Sequence, residues 1–276
     1  MTPKTILLCL NEIASNDQAI SAARQLANTF KAHVTGLYVI PAVQIYPTAG
    51  MDAPPQIYDG NRVFFEQSKS LVQDAFEKAM KADGISFGFD LVDGRSSQIA
   101  ADVIEAARSS DMVIMVPAQS DGGSGVESEL AERVVVQAGR PVLLMPAGKA
   151  TALKLDEVAI AWDGGREAAR AVFDALPFLR AAKKVSIFGV DEAKRGVEPE
   201  ADIAAALSRH GVKAEIVHVT SDGMNTGETL FRACNDQGAG LLVMGAYGHS
   251  RLSEFVFGGA TRHVLRNLKM PVLMSH

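Results

Sequence analysis

Two tandem α/β domains, each a doubly wound parallel sheet of five strands, are what this 276-residue sequence predicts. Three observations lead there. The length sits near two domains at roughly 150 residues apiece. The halves resemble one another: Gly139-Arg140-Pro141-Val142-Leu143-Leu144-Met145 late in one is answered by Leu268-Lys269-Met270-Pro271-Val272-Leu273-Met274 late in the other. Apolar runs of strand length also alternate with helical stretches through both copies, the order that parallel βα units require.

The first copy opens with the strand Ile6–Leu10, closed by Asn11, and an alanine-rich helix over Ala19–Phe30. Strand Val34–Ile40, a helix near Val63–Lys81, strand Phe87–Val92 and helix Ser97–Arg108 follow. Strand Met112–Val116, helix Ser128–Gln137 and strand Val142–Met145 complete it. The second copy repeats the order: Val158–Trp162 closed by Asp163, helix Glu167–Ala181, then strands Val185–Val190, Ala214–Thr220, Leu241–Gly245 and Val272–Met274 with helices between. Most of these strands are short continuous apolar runs, as expected where helices cover both faces of a sheet.

The spacing between equivalent landmarks is wider for Asn11 and Asp163 than for Gly84 and Gly211 or Pro141 and Pro271. The first copy therefore carries extra residues between its second strand and Gly84. They fall in a proline-rich segment, Pro41–Tyr58, read as an inserted loop over 41–60, and in a lengthened helix after it. A loop of this kind is either a functional, partner-binding element or a plain solvent loop. The boundary is placed between Gly148 and Leu155, giving domains 1–148 and 155–276 that pack as a pseudo-two-fold pair.

Composition narrows the function. Hydrophobic residues at 47% and charged residues at 21% exclude a disordered chain. No uninterrupted apolar run is long enough for a membrane span. The N-terminal apolar run Ile6–Leu10 meets Asn11 and Glu12 at once, unlike a signal peptide. A net charge of −5 argues against nucleic acid and anionic membranes as partners. The cysteines, Cys9 and Cys234, form neither a disulfide framework nor a metal-ligand spacing. A cytoplasmic protein is expected.

Ligands of open α/β sheets bind beyond the carboxyl ends of the strands. There the second copy carries Gly245-Ala-Tyr-Gly248-His249-Ser-Arg251-Leu-Ser-Glu-Phe-Val-Phe-Gly258-Gly259-Ala260-Thr261, followed by the helical stretch Arg262–Leu268. Gly245 ends a strand, where a missing side chain lets a ligand lie against backbone. Gly258 and Gly259 precede a helix whose free N–H groups and dipole favour an anion. Thr261 adds a hydroxyl and Arg262 a charge. A phosphate chain meets these features, although tight turns and a helix cap would also use the glycines.

The pattern Gly245-x2-Gly248-x9-Gly258, with a hydroxyl residue soon after, resembles the ATP-binding signature of the universal stress protein family. Asp163 after Ala161-Trp162 and the terminal Pro271-Val272-Leu273 are similar to the same family, and the likeness spans the chain as two tandem copies. It implies the adenine nucleotide alpha hydrolase-like fold, ATP with Mg²⁺ as ligand, and a role in the stress response. Gly245, Gly248 and Gly258 match the family's phosphate-loop glycines, Thr261 its hydroxyl, and Asp163 its acidic residue on the nucleoside side. Val190 falls where the family offers backbone bonds to adenine, and Met244 where the base pocket is lined. His249, Gly259, Ala260 and Arg262 complete the expected cofactor-binding set, with Trp162 bordering the nucleotide or filling a domain interface. One departure stands out. The family commonly has Ser after the third glycine, and here Gly259 stands instead, removing a donor worth about 0.5–1.5 kcal/mol.

The first copy lacks the pattern. Val116 takes the Gly245 position, Pro117 follows it, Gln119 stands for Gly248, and Ser128 and Glu129 stand for Gly258 and Gly259. Proline has no N–H, and Glu129 would set a negative charge against phosphate. Asn11 replaces the aspartate, and Gly122-Gly123-Ser124-Gly125 is offset from the required places. One nucleotide per chain is expected, in the second copy.

Other chemistry finds little support. The histidines form no H-x-x-x-H pair and no C-x-x-C occurs, so no metal site is assigned. His218, inside an apolar strand, reads as a core or interface residue, and His263 as a surface or packing residue. No nucleophile elbow appears, and no catalytic residue is assigned. The leading expectation is an ATP-binding stress sensor or regulator without efficient turnover. Its rivals are a slow ATPase of the same fold and a nucleotide-independent interaction module using the Pro41–Tyr58 loop for a small ligand or a regulatory protein. The resemblance also implies pairing of the end strands Val142–Met145 and Val272–Met274 within one chain, compatible with a further homodimer.

Overall fold

Strand and helix alternate along the chain, as the apolar periodicity requires. A computed structural model describes residues 2–10, 15–40, 55–93, 99–117, 129–148, 152–191, 200–248 and 259–276. In order the elements are β1 (Thr5–Leu10), α1 (Asn16–Phe30), β2 (His33–Ile40), α2 (Pro55–Ala82), β3 (Phe87–Asp93), α3 (Ile99–Arg108), β4 (Met112–Met115), α4 (Leu130–Gln137) and β5 (Val142–Leu144). Then come β6 (Glu157–Ala161), α5 (Arg166–Asp174), α6 (Leu176–Ala181), β7 (Lys184–Val190), α7 (Glu200–Arg209), β8 (Ala214–Val219), α8 (Thr226–Gln237), β9 (Leu241–Gly245), α9 (Gly259–Arg266) and β10 (Val272–Ser275). No helix among the described residues is long and apolar enough to cross a membrane.

Two compact units result. One comprises Lys4–Val134 with Ala147–Thr151; the other comprises Met1–Pro3, Val135–Pro146 and Ala152–His276. In the N-terminal unit the strands run β3-β2-β1-β4, all parallel. Its β1 is buried from Ile6 to Leu10, as a strand with helices on both sides should be. Gly36 of β2 lets the Phe76 ring of α2 approach, since a methyl there would stand 3.1 Å from it. Phe76 packs edge-on against Phe87 at 5.7 Å. Tyr38, fully buried, donates its hydroxyl to the Phe65 carbonyl at 2.9 Å.

In the C-terminal unit the order is β5-β10-β9-β6-β7-β8. Five of these strands are mutually parallel, and β5 lies antiparallel to β10 with Leu143 opposite Leu273. The two Pro-Val-Leu segments that revealed the repeat are thus hydrogen-bonded neighbours. The α/β class with mainly parallel sheets agrees with the sequence reading.

Several element limits differ from expectation. The loop expected over 41–60 ends by residue 55, where α2 begins on Pro55; proline suits a first helical turn because its missing N–H has no intrahelical partner there anyway. Residues 41–54 lie outside the described residues. The single helix expected over Glu167–Ala181 is two, divided at Ala175, with Pro177 in the first turn of α6. The helix expected from Arg262 starts earlier, at Gly259. His218 is exposed rather than buried, because β8 ends the strand order and has a neighbouring strand on one side only.

Candidate functional site

Three chain reversals meet at the carboxyl end of the C-terminal sheet. The first follows β6. Trp162 and Asp163 succeed its last residue, and Asp163 Oδ1 accepts the Gly165 N–H at 2.8 Å, an Asx turn that leads into α5. In the first turn of α5, Glu167 is only 4% exposed. Burial pushes its carboxyl up, but the hydrogen bond from Arg166, its own backbone N–H and the charges of Arg166 and His276 outweigh burial and hold it below the ordinary value. Glu167 is therefore ionised at neutral pH.

The second reversal follows β9. A side chain on Gly245 would collide with the backbone of α5, standing 2.5 Å from Glu167 C and against the Ala168 nitrogen. Glycine is required here for helix-to-strand approach, a role separate from any ligand. Ala246 N donates to Ser275 O at 2.9 Å, and His276 Nδ1 donates to the Ala246 carbonyl at 2.8 Å. Tyr247 takes a left-handed backbone, φ 58°, and its N–H donates to Thr261 Oγ1 at 3.1 Å. Thr261 thus braces the loop against α9 and still has its own O–H to donate.

The third reversal leads into α8. Asn225 Oδ1 accepts the Gly227 N–H at 2.8 Å, and Gly227 allows α8 to pack on α9, within 3.0 Å of the Ala260 carbonyl for any added Cβ. Glu228 reinforces that contact, accepting from Lys269 Nζ at 2.9 Å and facing His263 Nε2 at 3.2 Å. The bonds from Lys269 and His263 hold its carboxyl below the ordinary range despite slight burial.

Between these reversals lies a pocket of about 310 Å³. Phe188, Val190, Leu230 and Met244 make an apolar wall; Gly245, Gly248, Gly259, Ala260 and Thr261 make a wall rich in backbone; Asp163 and Asp191 bring carboxylates. A concave site with an apolar body and a few convergent polar groups has the general form of a small-molecule site. Of the residues expected from the sequence, Trp162, Asp163, Val190, Met244, Gly245, Gly248, Gly259, Ala260 and Thr261 line this one pocket. Arg262 stands half-buried in α9 and is not among its lining residues. His249, Arg251 and Gly258 lie outside the described residues.

Sequence reasoning missed Asp191, Asn225, Thr226 and Tyr247, which also line the pocket. Two left a usable signal. Asp191 directly follows a strand at its carboxyl end, and Asn225 before Thr-Gly-Glu is an N-cap pattern. Asp191 is itself engaged, accepting from Ser221 Oγ at 2.6 Å.

The N-terminal unit is built differently at the matching place. β4 pairs with β1 as β9 pairs with β6, so Val116 takes the Gly245 position by ladder register. Its side chain is 1% exposed, so a valine is accommodated where the C-terminal unit requires glycine. Asn11, Gln119, Gly122–Gly125 and Ser128 lie outside the described residues, and Glu129 is exposed.

The described residues include no group of three or more His, Cys, Asp or Glu that could hold a metal ion. Cys9 and Cys234 are buried, and burial pushes each thiol up to about 12.

Residues 155–276, which hold every described lining residue of the pocket, match the model of the universal stress protein family. This segment is where the chain resembles that family. A universal stress protein of Synechocystis sp. is 24% identical over 290 residues, covering 98% of this chain and 99% of that one. The crystal structure of a universal stress protein from Archaeoglobus fulgidus covers 100% of this chain and 96% of its own, with a TM-score of 0.71 at 17% identity. A protein from Pseudomonas aeruginosa UCBPP-PA14 covers 99% and 93%, with a TM-score of 0.61 at 14% identity. Both structural likenesses are of fold. The universal stress protein match and the pocket therefore coincide in the second half of the chain.

Proposed function

We propose that the C-terminal unit binds one adenine nucleotide, ATP with Mg²⁺, and that the protein works as a stress-linked sensor or regulator. The observation that carries this reading is the two-part pocket. Adenine suits the apolar wall of Phe188, Val190, Leu230 and Met244, and phosphates suit the N–H groups opening α9. Asp163, on the nucleoside side, accepts from ribose hydroxyls in the manner of acidic residues at other strand ends. Asp191 and Asp163 make the wall acidic, and the described lining residues include no Lys or Arg. The triphosphate therefore enters as its Mg²⁺ complex.

Slow turnover at most is expected. Asp163 is tied to the Gly165 N–H and Asp191 to Ser221, so both lining carboxylates already hold turns. Neither is placed to activate water as a general base. The N-terminal unit carries Val116 and Pro117 where the C-terminal unit has Gly245 and Ala246, which supports a reading of one nucleotide per chain.

Calorimetric titration of ATP and Mg²⁺ tests the reading, beside a Gly248→Val variant. At Gly248 the nearest obstacle is the Glu167 carboxylate, 2.9 Å from an added Cβ, so the isopropyl group narrows the pocket without meeting helix backbone. One site per chain in the parent and none in the variant is the expected result. Two equivalent sites, or no heat of binding in the parent, would overturn it. A turnover assay on the same samples should find stoichiometric binding with little product.

A further inference from the structure

Asn225 precedes α8 as its N-cap, and among the described residues only one end of its carboxamide is engaged. Oδ1 accepts the Gly227 N–H at 2.8 Å, while the Asn225 carbonyl accepts from Thr229 N at 2.9 Å and Thr229 Oγ1 at 3.0 Å. With the oxygen committed to the cap, the orientation of the amide is settled and Nδ2 must lie on the opposite side. That nitrogen stands 3.6 Å from where a Cβ on Gly259 would be, at the start of α9. Asn225 lines the same pocket as Gly259, Ala260 and Thr261. Asn225 is exposed, and among the described residues Nδ2 has no hydrogen-bond partner, so the amide is open to solvent and to whatever enters the pocket.

Capping alone does not explain the choice of residue, because Asn and Asp cap helices about equally well. The two differ in what the second end presents to the pocket. Asp would add a third carboxylate to a wall that already carries Asp163 and Asp191, whereas Asn presents N–H donors without charge. Donation to a charged oxygen is the stronger kind of hydrogen bond.

We infer that Asn225 contacts the ligand: its Nδ2 donates to a phosphoryl oxygen of the nucleotide lying at the start of α9. This rests on the nucleotide reading above and adds a phosphate contact from a second element, α8. The start of α9 then holds the phosphates from one side and Asn225 from another.

The test compares ATP with Mg²⁺ binding to the full chain, to Asn225→Asp and to Asn225→Ser, with the unliganded thermal midpoint of each. Both substitutions keep an N-cap acceptor for Gly227, so α8 is retained. Asn225→Asp should weaken ATP about tenfold to a hundredfold and Asn225→Ser about tenfold, with midpoints unchanged. Affinities within about twofold of the parent would overturn the role of Asn225 and leave the pocket reading intact. Weaker binding accompanied by lower midpoints in both variants would trace the loss to capping and overturn it too. A parent chain that binds no nucleotide would overturn the pocket reading, and the Asn225 contact with it.

Discussion

Replacing Gly245 by Ala is the sharpest perturbation the fold offers, because the cost falls on backbone and needs no ligand to be seen. The added methyl would stand 2.5 Å from Glu167 C and closer still to the Ala168 nitrogen, both in the first turn of α5. Carbon atoms ordinarily touch at about 3.5–4.0 Å, so α5 would have to withdraw from the end of β9 by about 1 Å. Overpacking of this kind costs about 1–3 kcal/mol, and backbone on the receiving side argues for the upper half of that range. Gly248→Ala is the control. Its methyl meets a carboxylate oxygen of Glu167 at 2.9 Å, the far end of a side chain that can turn aside, so a cost below about 1 kcal/mol is expected. Equilibrium denaturation of the two variants and the parent, in the absence of nucleotide, gives the difference directly. A Gly245→Ala protein as stable as the parent would refute the claim that β9 and α5 require glycine at their contact.

Further outcomes follow from other parts of the structure. Gly259→Ser restores the hydroxyl that the family commonly carries there; the new Cβ meets Asn225 Nδ2 at an ordinary 3.6 Å, so calorimetry should show ATP binding strengthened about two- to tenfold. Thr261→Val leaves the Tyr247 N–H without its acceptor and should lower stability by about 1 kcal/mol in urea unfolding; an unchanged midpoint would remove the brace from the account. Asp83 bonds Arg24 at 2.5 and 2.7 Å and Asn28 at 2.6 Å, and the bonds from Arg24 and then Asn28 hold its carboxyl below the ordinary 3.8. With the folded value depressed, its stabilisation is complete above 3.8 and is lost as pH falls through the folded value. Asp83→Asn should therefore be less stable than the parent at neutral pH, with the gap closing in acid; a gap that widens below pH 4 would contradict the pairing. Cys9 and Cys234, with thiols pushed up to about 12 by burial, should react with a thiol reagent at pH 8 only after unfolding.

The sequence by itself determined what repeats and what alternates. Apolar runs such as Ile6–Leu10 and Leu241–Gly245 need only local periodicity to be read as strands, and their alternation with helices dictates parallel sheets. The paired Pro-Val-Leu segments exposed the duplication, and glycine spacing located the loop at the end of β9 because glycine's freedom is local. Tertiary structure alone decided which groups share a cavity. Asn225 and Asp191 are far in sequence from Gly259, and their approach depends on strand order and on how closely α8 packs on α9 through Gly227. It also decided what Gly245 is for: the same residue that would let a phosphate approach is demanded by the Ala168 backbone, which no spacing rule reveals. Thr261, expected as a donor to phosphate, proved to accept the Tyr247 N–H as well, since a hydroxyl both gives and takes a hydrogen bond and only its neighbours assign the roles.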